Sequence, residues 1–97
     1  MEFFQRAQEA ADQNRWETAT LYYEEFLIRF PDDRPSQMEA RYELAFIAYK
    51  QQDYTRSLEL FDALLATYEA DQSGMLPEWP RVLSLRLVAI IEERIAE

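Results

Sequence analysis

Residues Arg41–Leu65, RYELAFIAYKQQDYTRSLELFDALL, decide the fold. Tyr42, Ala45, Phe46 and Tyr49 recur at three- and four-residue spacing, which places them on one side of a helix. Gln52-Asp53 breaks that pattern, and Asp53 is a residue type that caps a following helix. Tyr54, Leu58, Phe61, Leu65 and Tyr68 then form the apolar face of a second helix. Upstream, Ser36 and Glu39 have capping-box spacing, so the first helix is predicted over about Gln37–Gln51.

Sliding the chain by 38 residues, Phe4 onto Tyr42, reveals the same plan earlier. Ala7 falls on Ala45, Trp16 on Tyr54, Ala19 on Ser57, Tyr23 on Phe61 and Phe30 on Tyr68. Apolar and small positions agree while the residues between them drift, as expected of one supersecondary unit used twice. The first unit is predicted as a helix from Phe3 to about Gln13, a cap at Asn14 with Glu17, and a second helix. That helix carries Trp16, Ala19, Tyr23, Phe26, Leu27 and Phe30 and stops at Pro31-Asp32-Asp33. The aligned aromatics Trp16, Tyr23, Phe26, Phe30, Tyr54, Phe61 and Tyr68 are assigned to the core. Residues 70–79 hold the single Gly, Gly74, and form the one long connection. Pro80 opens a last helix running to about Ala96. Its main apolar arc is Leu83, Leu87, Ile90, Ile91 and Ile95, and a second stripe holds Val82, Leu85 and Ala89.

With these residues in place, the chain resembles the tetratricopeptide repeat (TPR) family. Leu44-Ala45 matches the family's Leu-Gly pair, where a small residue lets two helices approach. Ala48, Asp53-Tyr54, Ser57 and Phe61 match further consensus positions, as do Ala7, Trp16, Ala19, Tyr23 and Pro31 in the first unit. The 38-residue offset exceeds the usual ~34 because of Arg34-Pro35-Ser36-Gln37. Arg41 stands where the family favours Trp, and Glu69 replaces a terminal proline. The longer linker and the Phe30-Pro31-Asp32-Asp33 ending are similar to TPRs of BamD-like bacterial envelope lipoproteins. The expected architecture is all-α: one domain over 1–97, with repeats at about 2–33 and 38–69 and a capping helix at about 80–96.

The resemblance implies a protein or peptide partner held in a concave groove. Its floor would be Tyr42, Phe46 and Tyr49, with Gln8 on one side and Leu85 and Val88 on the other. Phe46 stands where the family often has a polar residue, and Gln8 is its first-repeat counterpart. Lys50, one turn beyond Phe46, is placed to meet a partner carboxylate. A different reading is self-association into a homodimer, since two repeats bury little and Val82, Leu85 and Ala89 suit a twofold contact.

Composition narrows the chemistry. The 97 residues carry a net charge of −9, with 19 acidic against 10 basic side chains. Such a surface repels nucleic acid and anionic lipid and favours a partner with basic residues. There is no Cys or His, so Cys/His zinc sites, thiolate chemistry and imidazole catalysis are excluded. Glu24-Glu25 and Glu92-Glu93 point about 100° apart on their helices, and Asp32-Asp33 lacks calcium-loop spacing. The expectation is no enzyme, no cofactor and no metal. No stretch reaches the ~20 apolar residues of a membrane span, so direct membrane insertion is not expected. The start, MEFFQR, lacks the pattern of a signal peptide. As written the chain reads as cytoplasmic. An upstream leader would make it periplasmic or lipoprotein-anchored.

Overall fold

The computed structural model describes residues 2–97 and is all-helical. Helix α1 spans Glu2–Asp12, α2 Trp16–Arg29, α3 Arg34–Lys50, α4 Tyr54–Ala70 and α5 Trp79–Ala96. Successive helices pack in sequence order, and α5 leans on both α4 and α3. The thinnest dimension is 18 Å, about two helix diameters, so the molecule is a two-layer slab.

The two hairpin turns share one construction. The amide of Arg15 donates to Ala10 O at 2.8 Å and that of Asn14 to Ala11 O at 2.9 Å. The amide of Asp53 donates to Ala48 O at 2.9 Å and that of Gln52 to Tyr49 O at 2.9 Å. Each set is a Schellman closure around one left-handed residue, Asn14 (φ 59°) and Gln52 (φ 63°). Asn14 therefore ends α1, and the expected cap at Asn14 with Glu17 is replaced by this turn. Asp53 does cap α4, its carboxylate accepting from the Arg56 amide at 3.3 Å. The residue in the corresponding place before α2 is Arg15, which makes no side-chain cap.

Helix α3 starts earlier than the Ser36–Glu39 pattern suggests. Asp33 is its N-cap, accepting from the Ser36 amide at 3.3 Å. Pro35 fits the first turn, where no donor is needed, and Ser36 is buried within the helix. The Gln37 side chain donates to Leu27 O at 3.2 Å and Phe30 O at 2.8 Å. It thus serves Leu27 O, which Pro31 leaves without an amide donor, and adds a second donor to Phe30 O, which also accepts from the Asp33 amide at 3.2 Å.

Two apolar clusters form the core. Ala7, Ala10, Ala19, Tyr23 and Phe26 meet Ala40, Leu44 and Ile47 in one. Met38, Tyr42, Ala45, Phe61, Leu64 and Ile91 make the other. Small residues set the helix spacing: Ala7, Ala19, Ala45 and Ser57 are fully buried, and Ser57 Oγ donates to Ala45 O at 2.8 Å. Of the aligned aromatics, Tyr23, Phe26 and Phe61 are buried, Trp16, Tyr54 and Tyr68 are half-buried, and Phe30 is exposed. Phe30 falls outside because it is the C-cap of α2, past the last helical turn. On α5 the buried face runs through Pro80, Ser84 and Ile91, with Leu83, Leu87 and Val88 beside it. Ile90 and Ile95 are exposed, contrary to the expected arc: Ile90 is one residue round from Ile91, and Ile95 lies one turn beyond it.

The long connection is a built turn. Asp71 accepts from Ser73 Oγ at 2.9 Å and the Gly74 amide at 3.1 Å, and pairs with Arg34 at 3.4 Å. These hydrogen bonds, Ser73's foremost, hold its carboxyl below the ordinary range. Gly74 takes φ +67°, and Tyr68 Oη donates to Pro77 O at 2.6 Å.

Two stability outcomes follow from this packing. Arg15 has the backbone angles of the working cap Asp53 (φ −91°, ψ 72° against −87°, 75°). Arg15→Asp should therefore add about 1 kcal/mol, read as a higher midpoint in chemical denaturation. Ala45→Leu should cost about 1–3 kcal/mol by forcing α3 and α4 apart; an unchanged midpoint would show that the contact is not close.

Candidate protein-binding face

Helix α3 has two buried sides. Ala40, Leu44 and Ile47 enter one cluster, and Met38, Tyr42 and Ala45 the other. At about 100° per residue, Glu39, Glu43, Phe46 and Lys50 fall between them as a single stripe. Phe46, Glu39 and Glu43 are half-buried and Lys50 is exposed. This stripe is the open face of the central helix.

An aromatic row runs beside it. Trp79 meets Tyr42 edge-on with centroids 5.3 Å apart, and Tyr42 stacks on Phe46 at 6.1 Å. Phe46 meets Tyr49 at 6.1 Å, and Tyr49 meets Tyr54 at 6.1 Å. Two cations sit on this row: Lys50 Nζ 6.0 Å from the Phe46 centroid, and the Arg94 guanidinium 5.6 Å from Tyr49. Each contact is favourable by about 0.5–1 kcal/mol at an exposed site. Arg94 also donates to Tyr54 Oη at 3.3 Å, and Trp79 Nε1 to Glu39 Oε2 at 3.1 Å. The start and end of α5 are thereby tied to the central pair.

The residues picked from sequence divide accordingly. Tyr42 is only 6% exposed and packs against Phe61 and Trp79, so it supports the face from beneath. Tyr49 is half-buried under Arg94. Val88 packs against the second cluster. Gln8, Lys50 and Leu85 are exposed. Val82 and Leu85 are 40% and 48% exposed and Ala89 is exposed, so their stripe is uncovered.

Sequence reasoning passed over the carboxylates. Glu43 lies in the same stripe as Phe46, and burial pushes its carboxyl up to about 7, with Asp12 and Glu39 adding repulsion. No Arg or Lys among the described residues pairs with it. Tyr42 is pushed up to about 12 by burial and then by Glu43. Tyr23, fully buried on α2, has its hydroxyl pushed well up by burial, then by Glu43 and Asp12. The 39/43/46/50 spacing was the available signal, masked by the more conspicuous tyrosines. A cleft of about 510 Å³ lies elsewhere, between α1 and α2, and is walled chiefly by Gln5, Arg6, Glu9, Arg15 and Tyr22. Among the described residues no group of three carboxylates could hold a metal ion, and no helix is long and apolar enough to cross a membrane.

Paired antiparallel helices, small residues at each crossing and an open face on the first helix of the second pair define a helical-repeat protein. The tetratricopeptide repeat family matches residues 4–73, and the chain belongs to it. An uncharacterized protein of Treponema pallidum (strain Nichols) is similar, at 35% identity over 83 residues, which is 86% of this chain and 32% of that protein. The chain thus spans about a third of that relative's length. No solved structure matches. The family generally mediates protein–protein interaction and is typically non-catalytic.

The raised carboxyl of Glu43 has a measurable consequence. Its pKa is about 7 folded against an ordinary 4.5, so the folded state holds the proton more tightly. Stability from this group is complete below pH 4.5 and is lost as pH rises through about 7. Asp12, Glu39, Tyr23 and Tyr42 are the groups facing it, none of them cationic. Glu43→Gln should therefore stabilise at pH 8 by about 1–2 kcal/mol, allowing for solvent screening of a half-buried carboxylate. The gain should shrink towards zero at pH 5. A pH-independent difference in thermal midpoint would refute this.

Proposed function

We propose that the chain is a non-catalytic adaptor that holds a segment of a protein partner along the open face of α3. The observation that carries this reading is Phe46, a large aromatic left half-exposed in a stripe between two buried sides of a helix. Partly open aromatic anchors flanked by polar groups are the residues on which binding energy concentrates. Gln8 on α1 and Leu85 with Val88 on α5 would border the groove, and Lys50 would meet a partner carboxylate from its place over the Phe46 ring. The repeats at about 2–33 and 38–69 with the helix at about 80–96 would act as one domain over 1–97, and the partner would be protein rather than nucleic acid. The likeness to BamD-like envelope repeats rests on the Phe30–Asp33 ending and the longer linker, while the family match is to the repeat in general.

A second reading, a homodimer through α5, is favoured by the exposed Val82, Leu85 and Ala89 on one side of that helix. Sedimentation separates the two. A monomer at high concentration removes the dimer, whereas a dimer abolished by Leu85→Glu supports it.

The adaptor is tested with peptides selected from a displayed random library against the folded protein. Phe46→Ala should keep the helical circular dichroism and weaken the selected peptides at least tenfold, about 1.4 kcal/mol. Unchanged affinity in a folded variant would move the binding surface off α3.

A further inference from the structure

We infer that the exposed side of α5 pairs antiparallel with α5 of a second copy, and that Arg81 and Glu92 select that partner by meeting each other across the twofold axis. The inference rests on the homodimer reading and adds the direction of the pairing and the charges that fix it.

The side in question is one that the fold already uses for helix packing. On α3, Ala40, Leu44 and Ile47 face the first pair of helices. Pro80, Ser84 and Leu87 repeat that spacing forty positions later, and they form the side of α5 turned to the rest of the molecule. The same step carries Tyr42, Ala45 and Tyr49 onto Val82, Leu85 and Ala89. On α3 those three are met by α4: Tyr42 and Ala45 pack with Phe61 and Leu64, and the Tyr49 ring lies 6.1 Å from that of Tyr54. On α5 the equivalent three are exposed. The stripe is therefore built like a surface that an antiparallel helix covers elsewhere in the same chain.

The charges beside the stripe say which helix fits. Arg81 and Glu92 are eleven positions apart, about three turns, so both stand on one flank of it. Arg81 is exposed, and its ion pair within the chain is a long one, 3.6 Å to Glu78. Glu92 is exposed and pairs with no cation among the described residues. Arg94, two positions on, is turned away, lying over Tyr49 at 5.6 Å and bonding Tyr54. Two identical helices laid antiparallel bring Arg81 of each opposite Glu92 of the other, so one contact is made twice. Leu85 then enters between Leu85 and Ala89 of the second copy, where the small side chain leaves room. Laid parallel, the same helices would set Arg81 against Arg81 and Glu92 against Glu92. A chain of net charge −9 repels its own copy, so a local match of opposite charges is what the pairing needs.

The test is sedimentation equilibrium of the full chain and its charge variants at low salt. The wild type should show a monomer–dimer equilibrium. Arg81→Glu and Glu92→Arg should each weaken it about tenfold, because symmetry counts each reversed contact twice. The double variant Arg81→Glu with Glu92→Arg should restore it, and so should a mixture of the two single variants. Both single changes suit the helix dipole, with a carboxylate in the first turn of α5 and a cation near its end. Weakening with unchanged circular dichroism is then a loss of pairing and not of helix. In about 1 M salt the variants should converge on the wild type. A wild type that stays monomeric removes the homodimer reading and this inference with it, and the stripe passes to a different protein if Val82→Glu releases library-selected peptides. A dimer that Leu85→Glu abolishes while both charge variants leave it intact keeps the reading and overturns the antiparallel pairing. Failure of the double variant to regain what the single variants lose overturns it as well.

Discussion

The close crossing of α3 and α4 at Ala45 and Ser57 is the constraint on which the rest depends. Both residues are fully buried, and the serine hydroxyl bonds the alanine carbonyl across the contact. A side chain of any size there would widen a crossing whose axes ordinarily lie 8–10 Å apart. The approach delivers Phe61 and Leu64 beneath Tyr42 and sets where α4 ends. From that end the Asp71–Gly74 turn and the Tyr68–Pro77 hydrogen bond aim α5 back over the pair. With α1 and α2 on one flank of α3 and α4 and α5 on the other, the stripe from Glu39 to Lys50 is the surface that remains open.

Much of this architecture could be read from the sequence because it is periodic. Apolar spacing identified the helices, and the 38-residue self-match found the pair of units. Asp53 could be recognised as a cap because its chemistry is local. The misassigned features are places where two local signals compete. Asn14 is a good capping residue and also one of the few types that tolerates a positive φ, and the turn uses the second property. Ser36 and Glu39 have capping-box spacing, but Asp33 stands three residues before Ser36 and takes the amide first. Phe30 aligns with core positions, yet it falls just past the end of its helix.

The candidate site was legible only in part. Phe46 stood out because an aromatic replaces a usual polar residue. Tyr42 has the same spacing and faces inward, since the choice of side depends on where α5 lies. Glu43 was the harder case. Its carboxyl is raised first by burial and then by the charges of Asp12, thirty-one residues earlier in number, and Glu39, and periodicity along one helix does not reveal that burial. Its environment also opposes folding at neutral pH, because a half-buried carboxylate faces two others. Titratable groups left in such settings cluster at sites of recognition and chemistry.

Trp79 gives the molecule an optical property. Its indole is 40% exposed, bonds Glu39 and lies edge-on to Tyr42, all within the stripe's own neighbourhood. The chain has two tryptophans, and the other, Trp16, packs into the first cluster beside α2's own residues. Indole emission responds to nearby charge and hydration, so neutralising Glu39 or Glu43, or drying the surface above them, would register at Trp79 and leave Trp16 as an internal reference. The native fluorescence of the unmodified protein is thus a direct view of whether anything rests on α3.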